Sequence, residues 1–214
     1  MKNPFIHLRS LSSYSLAEST LKIPKLINLA KKNNMPAIAL TDNNNMFGVL
    51  EFSIECLNNG VQPIIGSSIN LLDFQYKNTT ARINFLVKNE KGYQNLLYLS
   101  SLSHTSDNNP VGIYLNDLKN CSEGLICYIG GVDNPLLFLN SQNKISSINK
   151  TIEIFQSLFG DDFLFEIQRI NDLKIDQFEK DFIQYAHNFN ISLIGSNNVK
   201  FENFDDFSAH DALL

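Results

Sequence analysis

The chain has 214 residues, enough for one domain that buries roughly 70 % of its unfolded surface on folding. Its 17 basic and 22 acidic side chains give a net charge of −5, which argues against strong nucleic-acid binding through bulk charge. Three cysteines without a CxxC pair exclude a dense disulfide framework and a zinc ribbon. The sequence has no apolar run of 18 residues and no signal-peptide core near its start. We therefore expect a soluble protein that is not exported.

Apolar runs alternate with amphipathic helical patterns along the chain. In chain order, the first half predicts a strand at Phe5–Leu8, a helix at Pro24–Lys32, a strand at Ala37–Leu40, a helix at Phe47–Leu57, strands at Pro63–Ile69 and Ile83–Val87, and a helix at Tyr93–Leu102. The second half predicts strands at Leu125–Ile129, Phe163–Ile167 and Ile191–Gly195, with helices at Ile145–Phe159, Ile175–Phe189 and Asp205–Leu214. This alternation predicts an α/β fold with a parallel sheet or barrel, in which loops cluster at the strand ends.

Chemistry in such folds is found where strands end. The predicted strand ends carry mostly Asn and Ser, and four groups stand out as potential metal ligands: His7, Glu18, Asp42 and Glu166. Imidazole and carboxylate groups could hold a divalent ion and activate its bound water. The same residues could equally be helix caps and solvated loop residues, and the pattern alone leaves both interpretations open.

Four sequence strings identify a family. They are HLRSLSSYSL at 7–16, TDNNNMFG at 41–48, GVQPIIG at 60–66 and KNEKGYQNL at 88–96. Together they resemble the polymerase-and-histidinol-phosphatase (PHP) domain, and the last string resembles in particular the PHP domain at the start of the bacterial DNA polymerase III alpha subunit. The resemblance covers nearly the whole chain. It implies a distorted seven-stranded β/α barrel spanning residues 1–214, cut from a much longer cytoplasmic polymerase.

Family members with an intact site hold divalent metals with His, Asp and Glu side chains. Mapped onto this chain, the first HxH pair falls on Arg9 and Leu11, the next Asp on Glu18, and the His of TDH on Asn43. The remaining ligand positions are Ser68, Arg82, Ile170, Asn198 and Lys200. Of the nine positions, only Glu18 retains a metal-binding side chain, while His7, Asp42 and Glu166 are adjacent residues. The resemblance therefore implies a degenerate site without catalytic residues or metal.

Three of the mapped positions carry a positive charge. A unit charge about 4 Å away costs roughly 4 kcal/mol at an effective dielectric constant near 20, and a divalent ion doubles that cost. We expect Arg9 and Arg82 to replace the metals by pairing with Glu18, Asp42 or Glu166. The alternative is that both arginines point into solvent.

The missing metal-binding side chains predict a catalytically inactive domain within a DNA-directed DNA polymerase. The resemblance implies that such a domain is a scaffold that docks a separate proofreading exonuclease subunit, alongside the remaining domains of the alpha subunit and the replicase. DNA would be bound by the parent protein, Mg²⁺ would serve its polymerase site outside this chain, and no membrane contact is expected. The alternative function is an active divalent-metal phosphoesterase or 3′–5′ exonuclease with His7, Glu18, Asp42 and Glu166 as ligands.

Overall fold

The computed structural model describes residues 5–76, 79–105, 110–206, 208 and 211. Within them, a curled mixed sheet has the strand order β1 to β6. The strands are β1 Ala37–Leu40, β2 Gln62–Tyr76, β3 Thr79–Val87, β4 Leu125–Gly130, β5 Phe163–Ile167 and β6 Ser192–Gly195. The helices are α1 Ile23–Lys32, α2 Val49–Asn58, α3 Glu90–Thr105, α4 Pro135–Ser141, α5 Ile145–Phe159 and α6 Leu173–Asn188, with short 3₁₀ turns at Leu115–Asn120, Gly160–Asp162 and Phe204–Asp206. The α/β class is confirmed.

The prediction of an all-parallel sheet is wrong at its centre. Strand β3 runs antiparallel to both β2 and β4, whereas β1–β2, β4–β5 and β5–β6 are parallel pairs. Only two residues separate β2 from β3. A parallel crossover needs a dozen or more residues, so this connection can form only a hairpin. Both strands are also longer than predicted.

The start of the chain differs from its prediction as well. Residues 5–8 form no regular strand, yet backbone hydrogen bonds tie this segment to the sheet. The Ala39 amide donates to the His7 carbonyl, and Ser10 forms a parallel bridge with Val199. Residues 7–11 therefore lie between β1 and the segment that follows β6.

Helix α4 was not predicted, although its N-terminal signal is present in the sequence. Pro135 occupies the first turn, and the Asn134 side chain accepts a hydrogen bond from the Leu136 amide. Asparagine at the cap followed by proline is typical of a helix start. At seven residues, α4 is shorter than the length expected for an amphipathic helix.

Two apolar clusters hold the helices against the sheet. The larger contains the aromatic side chains of α5, β5 and α6, with the rings of Phe165 and Phe182 stacked at 4.2 Å between centroids. The smaller joins α1, β1 and α2 through Ile27, Leu40 and Phe52. Burial of these two clusters fixes the positions of the strand ends.

The last predicted helix, Asp205–Leu214, lies mostly outside the described residues. Among the helices described, none has the length and apolar character needed to cross a membrane.

Candidate functional site at the strand ends

Arg9 is the centre of a buried ion-pair group. Its side chain is 1 % exposed, and its two terminal nitrogens donate to Asp133 Oδ2 at 2.7 Å and Glu166 Oε2 at 3.2 Å. Burial acts to lower the pKa of Arg9, but the charges of Asp133 and Glu166 outweigh it and raise the pKa. The guanidinium therefore stays charged, because it is the cation beside two carboxylates.

Two glycines at the end of β4 allow Asp133 and Glu166 to lie close enough together to share Arg9. A Cβ atom at Gly130 would lie 2.2 Å from the Glu166 carbonyl oxygen, so only glycine lets β4 and β5 come this close here. Gly131 has φ +69°, which turns the chain towards Asp133. The sequence interpretation missed Asp133. The signal for Asp133 was its place shortly after a predicted strand, where the chemistry of such folds is found.

Arg82 forms a second pair nearer the surface. It donates two hydrogen bonds to Glu18, at 3.0 and 2.8 Å, and its Nε donates to Asn70 Oδ1 at 2.9 Å. The side chains of Arg82 and Glu18 are 21 % and 25 % exposed. Lys200 Nζ lies 3.9 Å from Glu18 Oε2. Burial acts to raise the pKa of Glu18, but the hydrogen bonds and charge of Arg82 and the charge of Lys200 hold that pKa below its usual value.

The two groups are joined through Asp133. Its carboxylate accepts from Arg9, while its backbone carbonyl accepts from the Arg82 amide at 2.8 Å. We call Arg9, Glu18, Arg82, Asp133 and Glu166 the ion-pair cluster. The interpretation that Arg9 and Arg82 point into solvent is wrong, and their expected pairing with Glu166 and Glu18 is confirmed.

Asp42 does not pair with an arginine, contrary to one of the expected options. Its carboxylate accepts hydrogen bonds from the Ser12 amide and hydroxyl, both at 2.7 Å, and from the Ser15 hydroxyl at 2.6 Å. Burial raises the pKa of Asp42 more than these hydrogen bonds lower it. Serine donors thus satisfy this acid without a cation. These hydrogen bonds explain the serines at positions 12 and 15.

The other mapped positions supply few metal-binding groups. Leu11 is fully buried, Ile170 is 46 % exposed, and Ser68 donates to the Asn84 side chain within the sheet. The buried Asn43 side chain helps to hold the pKa of Glu18 below its usual value. Asn198 Oδ1 is buried without a protein donor.

His7, which is adjacent to the mapped positions, lies against Phe5 at 4.9 Å between ring centroids. Burial lowers the pKa of His7, which favours the neutral ring.

These residues do not fit a divalent metal. Both oxygens of Glu18 are held by Arg82, both oxygens of Asp42 are held by serine donors, and one oxygen of Glu166 is held by Arg9. Within the described ranges, no three His, Cys, Asp or Glu side chains are grouped as metal ligands would be. A metal ion near Glu18 would also meet the charges of Arg82 and Lys200. In the described arrangement, arginine and serine donors occupy most of the carboxylate oxygens at the strand ends.

Comparison with known proteins supplies the family. The model of the PHP domain matches residues 7–170, so the chain belongs to the PHP domain family. The chain is 40 % identical to the DNA polymerase III subunit alpha of Rickettsia bellii over 221 aligned residues, which cover all of this chain and 18 % of that protein. It is 34 % identical to the corresponding subunit of Caulobacter vibrioides, covering 98 % of this chain and 19 % of that protein. The chain thus spans about a fifth of the length of these relatives.

Solved structures support the fold alone. An amidohydrolase from Chromobacterium violaceum, with bound sulfate and no metal, matches with a TM-score of 0.60 and 14 % identity, covering 97 % of this chain and 96 % of that one. A putative metal-dependent phosphoesterase from Bifidobacterium adolescentis matches with a TM-score of 0.55 and 9 % identity over the same shares.

Proposed function

We propose that this chain is the N-terminal PHP domain of a bacterial DNA polymerase III alpha subunit, a DNA-directed DNA polymerase of the cytoplasm. In that protein, DNA and Mg²⁺ would be bound by domains outside this chain. The relatives named above support this assignment through similarity along the whole chain. Residues 1–214 would form one domain, in which the tethered segment 7–11 takes the place of a seventh strand and closes the barrel.

Within that protein, we propose that the domain is an inactive scaffold. The observation that carries this proposal is the bidentate Arg82–Glu18 pair, because it occupies the only mapped ligand position that still has a metal-binding side chain. A bound metal would have to displace a guanidinium, and the buried Arg9 would remain nearby. The domain would therefore contribute to replication through its shape and surface.

Metal content and hydrolysis together test the inactive site. The polymerase-length protein should contain no stoichiometric zinc or manganese that depends on Glu18. It should hydrolyse neither a nitrophenyl phosphate ester nor single-stranded DNA when Mn²⁺ or Zn²⁺ is added. Stoichiometric metal with turnover that Glu18→Ala abolishes would establish the metal-dependent phosphoesterase or 3′–5′ exonuclease instead. Glu153→Ala is the matched control, since that glutamate is exposed on α5 and is not a mapped ligand position.

The scaffold role further predicts a docked proofreading exonuclease subunit. The family resemblance supports this partner, and a domain without its own hydrolytic centre leaves proofreading to another protein. Hydrogen exchange of the polymerase-length subunit, with and without the exonuclease subunit of the same bacterium, is the direct test. Slower exchange within residues 5–206 on binding would support docking here. Binding with protection confined to residues beyond 214 would place the partner elsewhere.

A further inference from the structure

Helix α2 carries apolar side chains on two opposite sides. Val49, Phe52 and Cys56 are buried against α1 and the sheet. The other side presents Leu50, Ile54 and Leu57, and Phe47 lies in the turn just before the helix. These four residues, here called the α2 stripe, are 67 % (Phe47), 74 % (Leu50), 50 % (Ile54) and 71 % (Leu57) exposed. Surface helices normally have one apolar side, and a helix that is apolar on both is usually buried. Among the described residues, the α2 stripe therefore has no cover beyond the His104 ring beside Phe47.

The spacing of the α2 stripe specifies the shape of that cover. Its members are separated by three, four and three residues. At 100° per residue the three members within the helix, Leu50, Ile54 and Leu57, lie within about 60° of one another around the helix axis. Steps of three and four are the spacing of side chains that pack between the side chains of a second helix. We propose that the α2 stripe packs against an amphipathic helix of the same polymerase chain, located beyond residue 214.

Charge defines the flanks of this second helix. Glu51 and Glu55 lie along one edge of the stripe, and α2 contains no lysine or arginine. A second copy of the same surface would place these acids against each other, which disfavours a homodimer. A helix with lysine or arginine beside its apolar residues would instead pair with both glutamates. The partner helix is therefore expected to be basic along one flank.

Two observations favour the same chain over a separate protein as its source. The relatives are about five times as long as this chain, so ample sequence is available to supply a helix. The stripe itself is mostly aliphatic, as in permanent interfaces, which are more apolar than transient ones. A tethered segment keeps such a surface covered at high effective concentration. This inference rests on the proposed polymerase assignment but not on exonuclease docking.

Cysteine accessibility tests whether the α2 stripe is covered. Leu50→Cys and Leu57→Cys are introduced singly into the polymerase-length protein, with Lys32→Cys on the exposed side of α1 as the matched control. Alkylation is followed at the labelled peptide and normalised to the same variant in denaturant. The native Cys56 adds little background, because burial raises its thiol pKa to about 11. We expect labelling at 50 and 57 to be at least about tenfold slower than at 32. Equal rates would overturn the proposal.

Photo-crosslinking identifies what covers the stripe. A benzophenone maleimide on Asn58→Cys, an exposed residue at the edge of the stripe, should form a crosslink within one polypeptide, to a peptide beyond residue 214 with lysine or arginine flanking its apolar residues. A crosslinked homodimer, or a crosslink to the exonuclease subunit, would overturn the choice of occupant. Exonuclease docking is scored separately by hydrogen exchange, so either proposal can fail while the other stands.

Discussion

Arg9 and Arg82 both fall on mapped ligand positions of the family pattern but lie in different environments. Arg9 is 1 % exposed and shares its charge between two acids, whereas Arg82 is 21 % exposed and makes a bidentate pair with one acid. A charge that has lost its water depends on its partners, while a charge near the surface can return to solvent. The comparison teaches that the same kind of substitution can be structurally essential at one strand end and nearly dispensable at another.

The largest effect is expected from Arg9→Leu. It leaves Glu166 buried with no cation, and breaking a buried pair on one side costs about 3–5 kcal/mol. Urea unfolding should show this loss, and Glu166→Leu added to Arg9→Leu should recover part of it. Arg169→Leu is the control, since Arg169 also pairs with a glutamate but is 77 % exposed. A loss at Arg9 no larger than at Arg169 would contradict the buried-pair interpretation.

Asp42 extends the comparison to an acid satisfied by hydroxyl groups. Asp42→Ala removes the acceptor of three hydrogen bonds and should cost about 2–3 kcal/mol. Asp42→Asn keeps an oxygen for the two donors that share Oδ1 and should cost less than about 1 kcal/mol. Thermal melts of both variants provide the measurement. Equal losses would show that the negative charge, rather than hydrogen-bond acceptance, is required.

Arg82→Leu should destabilise the chain by only about 1 kcal/mol, because its pair with Glu18 is partly solvated. Its effect should also shrink at high salt, in contrast to the effect of Arg9→Leu. Denaturation at low and high ionic strength would measure both differences. A salt-independent loss as large as that of Arg9→Leu would abolish the distinction between the two arginines.

The smallest effect concerns pH. Because the pKa of Glu18 is lowered, its stabilisation is fully present above the unfolded value of about 4.3 and is lost as pH falls through the folded pKa. The difference between the wild type and Arg82→Leu should therefore narrow on acidification. The pKa of Asp42 is raised, so its ionisation opposes folding. Acidification should therefore increase the stability of the wild type relative to that of Asp42→Asn. Unfolding free energies at several pH values would show these opposite slopes.

The sequence predicted elements more successfully than strand directions. Helix α5 was predicted with the same limits that the structure gives, because its apolar spacing is regular. The predicted strand ended at Ile69, yet Asn70 is in β2 and its side chain binds Arg82. Apolar runs also carry no information on strand direction. The antiparallel hairpin was therefore missed, since the predicted bounds left 13 residues between the two strands, which is long enough for a parallel crossover.

Only part of the site was predicted, because strand order is not visible in the sequence. Family positions located Arg9, Glu18 and Arg82, but which acid each arginine would meet depends on how the strands are ordered. Asp133 was outside the mapped positions, although it holds both arginines. Ser12 and Ser15 gave no chemical signal in the sequence, since their role exists only beside a buried carboxylate.

Asp133 has a consequence for how this site can change by mutation. It holds Arg9 with its side chain but Arg82 with its main chain, so a substitution at position 133 can cut only the first link. The second link survives any residue that keeps the turn. A mutation at position 133 can therefore weaken the contact with Arg9 without breaking the contact with Arg82. The two arginines are physically joined, yet mutation can change their contacts independently.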